Sequence, residues 1–265
     1  MIKLYFILKY ELRKFFKSAR GYILLLTGTV PLILFLSISA EKSRLDFLAV
    51  GRIDLIQNAL LVAYIFYSYI LAIFFTIIVY SDVVSNEKAY EFLLVSTSRT
   101  TILLGKIILS MILNVVLLLE TMVSFLLTLY SFNITFPSID QLTKAFVTAL
   151  FICWFLVIPI ILFSNTLIIK IGGLTSSMAN YLSIFIFFLI PFIIYFSFFE
   201  LTLFQPIMLD YSIHTMVNTL IQSVMIPNTP ISASSRLQTI ELMLTIGIAG
   251  YVSSIILFSK SSIIT

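Results

Sequence analysis

The stretch 81-SDVVSNEKAYEFLLVSTSRTTILLGK-106 is a short charged island between two long apolar runs. Asp82, Glu87, Lys88, Glu91, Arg99 and Lys106 fall within it, whereas neither 55–80 before it nor 107–119 after it holds a charged residue. Such a segment has to sit in water while its flanks avoid it. Behind Asn86, Glu87 and Lys88, the apolar residues Tyr90, Leu93 and Leu94 recur at helical spacing on a piece too short to bury them itself. This pattern predicts a surface helix that docks on another body.

The whole chain explains what the flanks avoid water for. It is 60% hydrophobic and 11% charged with a mean hydropathy of +1.13, against about 45–50% and 25% in soluble domains. That excludes a soluble globular domain and predicts an all-α integral membrane protein. The 265 residues have room for about six spans of some 20 residues each, read as one transmembrane domain over 1–265. The single Cys153 can form no internal disulfide, and it sits beside Trp154 in an apolar run.

Residues 1–20 carry Lys3, Lys9, Arg13, Lys14, Lys17 and Arg20 against one acid, Glu11. On a helical wheel Leu4, Tyr5, Leu8, Leu12, Phe15 and Phe16 share an arc and the basic residues fall opposite, the pattern of an interfacial helix. The alternative is a basic tail that only orients the chain. The apolar run from Tyr22 to Ala40 is span-length, which speaks against a cleaved leader. Spans are expected over about 22–40, 55–80, 102–132, 145–169, 181–199 and 242–258, with a tight turn over 165–180 and the longest polar segment over 200–241. With the N-terminus in the cytoplasm, eleven basic residues fall inside and five outside, so the positive-inside rule puts both termini and the island in the cytoplasm. The net charge of +4 reflects that bias, and no exposed basic stripe with interleaved aromatics points to nucleic acid.

The island also resembles a family. In the membrane subunits of type-2 ABC transporters, the cytoplasmic loop between the second and third spans has an acidic residue, a Glu and a Leu-Leu pair, then Ser-Arg, a Leu and Gly-Lys. Glu87, Glu91, Leu93 and Leu94 match the first part, and Ser98, Arg99, Leu103, Gly105 and Lys106 the second. Lys88 or Ala89 stands where the family has Gly, and the Pro before Ser-Arg is missing. The resemblance implies a permease with six spans, an N-terminal elbow helix and a coupling helix between spans 2 and 3. Glu87, Lys88, Tyr90, Glu91, Leu93, Leu94 and Arg99 would then meet a separate ATPase, and a second permease copy or relative would complete the pathway in the cell membrane. ATP would be bound by the partner, and this chain would need no cofactor.

The residues themselves hold no catalytic constellation. Gly105-Lys106 is followed by Ile107 rather than Ser or Thr, so there is no P-loop. His214 is the only histidine, which leaves zinc-protease and serine-hydrolase readings without ligands or base. Three features remain. Glu120 lies near the middle of span 3, where a charge costs about 2.5–3.5 kcal/mol on insertion scales; it is read either as a pathway or gating group or as a tie between spans. Asp210, His214, Asn218 and Gln222 recur every fourth residue opposite Leu209, Ile213, Met216, Val217 and Leu220. That is an amphipathic helix, and its polar stripe either lines an exit or is simply solvated; Asp210 and His214 alone are too few for a metal site. The aromatic clusters at Tyr64, Phe66, Tyr67, Tyr69 and at 195–199 are read chiefly as lipid-facing packing. Against the ABC permease stand an ion-coupled carrier or channel working alone, which would want several intramembrane charges, and a membrane scaffold without transport.

Overall fold

The computed structural model describes residues 2–17, 26, 53–81, 98–172, 178, 181–182, 185, 213–225 and 233–260. Every regular element among them is helical: α1 (Ile2–Lys17), α2 (Ile53–Ser81), α3 (Arg99–Ser131), α4 (Ile139–Ile152), a π turn (Cys153–Val157), α5 (Ile158–Gly172), α6 (Ile213–Met225) and α7 (Ala233–Lys260). Among the described residues four stretches are long and apolar enough to cross a bilayer, Leu60–Ile77, Thr100–Ser131, Ile139–Leu167 and Arg236–Ser259. They coincide with four of the six expected spans. The expected spans 22–40 and 181–199 and the island helix at 82–97 lie outside the described residues, apart from isolated positions.

Local chemistry explains where these helices begin and end. Ser98 caps α3 by accepting the Thr101 N–H at 3.2 Å, so the second half of the island opens a new helix. At the far end Asn133 takes a left-handed φ of 51°, which asparagine tolerates. The Ile134 N–H bonds Leu129 O at 2.9 Å and the Asn133 N–H bonds Tyr130 O at 3.1 Å, closing carbonyls that the helix end would leave open. Helix α4 starts at Ile139 rather than Ala145, because Ser138 and Gln141 form a reciprocal capping box, and Lys144 pairs with Asp140 one turn on at 2.6 Å. The residues Asn165 and Lys170, expected in a tight turn, belong to α5. Helix α7 begins at Ala233 rather than Leu242, carrying the exposed Arg236 and Glu241 in its early turns.

The core sits where α2 and α3 lie antiparallel and the α4–α5 segment, α6 and α7 close over them. Tyr64 on α2 stacks near Phe125 on α3 with ring centroids 5.6 Å apart, while Phe75 and Val79 meet Leu109, Leu113 and Leu117. Tyr64 and Tyr69 are fully buried. Within the aromatic cluster on span 2, Tyr64 and Tyr69 therefore belong to the bundle centre, while Phe66 and Tyr67 pack half-buried at its edge. Helix α6 follows its predicted pattern, with Met216, Val217 and Leu220 buried in the same core and Ile221 beside them.

Helix α1 corrects the wheel in one respect. Its apolar arc packs on protein: Leu8, Leu12 and Phe15 cover the Phe75–Leu113 cluster, and Phe15 and Phe75 have ring centroids 6.2 Å apart. Tyr5 and Phe16, placed on that arc by the wheel, face outward with Phe6 and Tyr10 beside the exposed Lys9, Arg13 and Lys17. The buried face is turned away from Tyr5 and Phe16 toward Ile7 and Glu11, its most buried members.

Candidate functional site

Among the described residues, six of the thirteen buried polar side chains lie along one face of α3. Lys106, Ser110, Asn114, Thr121, Ser124 and Thr128 are spaced by three, four or seven residues, so they form one stripe, and each is at most 3% exposed. Most satisfy themselves on the preceding turn. Thr121 donates to Leu118 O, Ser124 to Glu120 O, Thr128 to Ser124 O, and the Asn114 amide to Ser110 O at 2.8 Å. Such back-bonding hides hydroxyls in hydrocarbon and lets small residues bring helices close. Opposite the stripe, Ser68 Oγ approaches Thr121 Oγ1 at 3.4 Å and the Tyr64 hydroxyl donates to Leu118 O at 3.1 Å.

The stripe ends in an ion pair. Lys106 Nζ lies 3.0 Å from Glu11 Oε1, with side-chain exposures of 4% and 8%. Next to it α1 comes so near that a Cβ on Gly105 would stand 3.0 Å from Ile7 Cγ2. A glycine inside a helix costs about 1 kcal/mol relative to alanine; here it makes room for α1 to reach the pair. The last two residues of the Ser98-Arg99 to Gly105-Lys106 pattern are thus both used to hold the N-terminal helix.

Among the described residues, three polar atoms on this side of α3 are buried without a hydrogen-bond partner: Ser110 Oγ, Asn114 Oδ1 and Glu120 Oε2. Glu120 lies at the edge of the stripe and is half-buried. Its neighbours on the outer side of the helix, Leu119, Val123 and Leu127, are all exposed. A carboxylate oxygen without a partner among the described residues, on a membrane-length helix, is costly to keep,.

The structure brings Lys106 and Glu120 onto one helix but keeps them apart by about four turns. Glu87, Lys88, Tyr90, Glu91, Leu93, Leu94 and Asp210 lie outside the described residues. Arg99 and His214 have their backbones in the first turns of α3 and α6, and their side chains are not among those described. No group of three or more metal-ligating side chains occurs among the described residues. Sequence reasoning missed the Glu11–Lys106 pair and the α3 stripe. Both left a signal: Glu11 sits at i+7 from Leu4 and i−4 from Phe15, in the middle of an apolar arc, and the stripe can be read from its spacing.

These helices define a chain of the multi-pass membrane class. No family model matches it, and no curated protein matches it either.

Proposed function

We propose that the chain is the permease subunit of an ATP-binding cassette exporter in the cell membrane. It would act in a pair with an identical or related permease and be driven by separate ATPase subunits through the 81–106 segment. The observation that carries this reading is the union of α1 with the start of α3. Gly105 admits α1 and Lys106 binds Glu11 within two turns of the Ser98 cap. A push on the island is therefore transmitted to a membrane-length helix and to the N-terminal helix together, as a coupling element requires.

The test is co-expression of the chain with the P-loop ATPase of an adjacent reading frame. The ATPase is expected to co-purify in equal number with the permease and to hydrolyse ATP faster in its presence. An ATPase that neither co-purifies nor responds would overturn the reading. The same reading places both termini and the island in the cytoplasm. In a Cys153→Ser background, Ser85→Cys and Ser232→Cys should label from opposite faces with an impermeant maleimide, and labelling of both from outside would sink that orientation.

The orphaned Glu120 oxygen favours a second reading, an ion-coupled carrier that needs no ATPase. Glu120→Gln separates the two. Gln keeps the shape and removes a charge that costs about 2.5–3.5 kcal/mol on insertion scales, so thermal stability in detergent should hold or rise. ATP-driven transport by the assembled complex is expected to fall if Glu120 lines its pathway. Loss of ion-gradient-driven transport by the chain alone would support the carrier, and unchanged transport in both assays would make Glu120 irrelevant to function.

A further inference from the structure

We propose that the π turn Cys153–Val157 is a hinge in the membrane-length segment Ile139–Leu167, and that the Tyr251 hydroxyl is its latch. In a π turn each carbonyl accepts from the N–H five residues on, and the Ile158 N–H does donate to Cys153 O. By the same rule Trp154 O needs a donor at position 159. Residue 159 is proline, which has none,. The α-helical donor for Trp154 O is Ile158, already engaged by Cys153 O.

The missing bond comes from another helix. Tyr251 on α7 donates its hydroxyl to Trp154 O at 2.6 Å. Two glycines on the same face let α7 come close enough. A Cβ on Gly247 would stand 2.7 Å from Phe155 O, and one on Gly250 would stand 2.8 Å from Pro159 Cβ. Gly247, Gly250 and Tyr251 thus form one surface shaped to the turn, with the glycines supplying clearance and the tyrosine supplying the donor.

The turn has a second register available. If 153–157 rewound as α-helix, Ile158 would serve Trp154 O, while Phe155 O, whose α-helical donor is position 159, would still face the proline,. Each register leaves at least one carbonyl without a backbone donor, and hydrocarbon offers no water to replace it. The carbonyl that separates the registers is Trp154 O, and Tyr251 favours the π register by serving it. Moving between them turns the 158–172 half about its axis relative to the 139–152 half, which is what a two-state membrane helix needs. The latch belongs to the bundle and requires neither ATPase nor cargo, so it can be tested apart from coupling.

Cys153, the only cysteine in the chain, is the first residue of the turn and is fully buried, so its alkylation reports opening. The experiment follows the rate at which N-ethylmaleimide modifies Cys153 in the full chain, purified and reconstituted into phospholipid nanodiscs. The wild type is expected to react slowly. Tyr251→Phe, which removes only the hydroxyl, should react about tenfold faster, the equivalent of about 1.4 kcal/mol. Pro159→Ala restores a backbone donor, so in that background Tyr251→Phe should change the rate less than about twofold. A Tyr251→Phe chain too unstable to purify but recovered by adding Pro159→Ala also supports the latch; one that is not recovered overturns it. Tyr251→Phe reacting at the wild-type rate, or an equal acceleration with and without Pro159→Ala, overturns it as well.

Discussion

Lys106→Ala is expected to detach α1 from the bundle. Glu11 and Lys106 are almost wholly enclosed, so truncating the lysine strands a carboxylate with no cation and no water. Breaking a buried pair in this way costs about 3–5 kcal/mol, whereas replacing both partners by apolar residues of similar volume is often neutral or stabilising. The single variant should therefore unfold at markedly lower temperature in detergent, and Glu11→Leu combined with Lys106→Met should recover most of the loss. Trypsin provides a local readout, because Lys9, Arg13 and Lys17 are exposed on α1 and an undocked helix is cut there faster. Wild-type stability and wild-type cutting in Lys106→Ala would mean that Ile7, Leu8, Leu12 and Phe15 dock α1 unaided and that the pair transmits nothing.

Under the proposed function, the next largest effect falls on the island. Leu93→Asp should release the ATPase while leaving the bundle folded. Burying one leucine is worth about 1.5–3 kcal/mol, and the substitution also forces a carboxylate into the contact, so affinity should fall by at least about a hundredfold. Ion pairs at the rim of such a contact give about 0.2–1 kcal/mol, so Glu91→Ala should spare assembly and lower coupled ATP turnover. The two variants are purified with the partner, and subunit ratio and hydrolysis are measured. A Leu93→Asp chain that still binds its ATPase and transports at full rate would show that 81–106 is not the coupling element. Because Leu93 lies before the Ser98 cap, where α3 begins anew, its effect should add to that of Lys106→Ala rather than overlap with it.

The sequence alone determined the class and the main helices. Long apolar runs can cross lipid only as helices, so 55–80, 102–132 with its two charges Lys106 and Glu120, 145–169 and the core of 242–258 were legible from hydropathy. The face of α6 was legible too, since Met216, Val217 and Leu220 follow helical spacing. Helix starts at Ile139 and Ala233 were missed because hydropathy sees only the hydrocarbon-length part, while a capping box or a charged first turn carries a helix on into water. Tertiary structure decided what the polar residues do. Glu11 is one acid among six bases until Lys106 is brought within 3.0 Å, and Gly105 is an unfavoured helix residue until Ile7 needs its space. Gly247 and Tyr251 follow Pro159 by 88 and 92 residues, and nothing local in any of them marks the shared turn. Periodicity records which face a residue occupies. Which other helix meets that face depends on long-range packing, and a buried charge or an orphaned carbonyl takes its meaning from that partner.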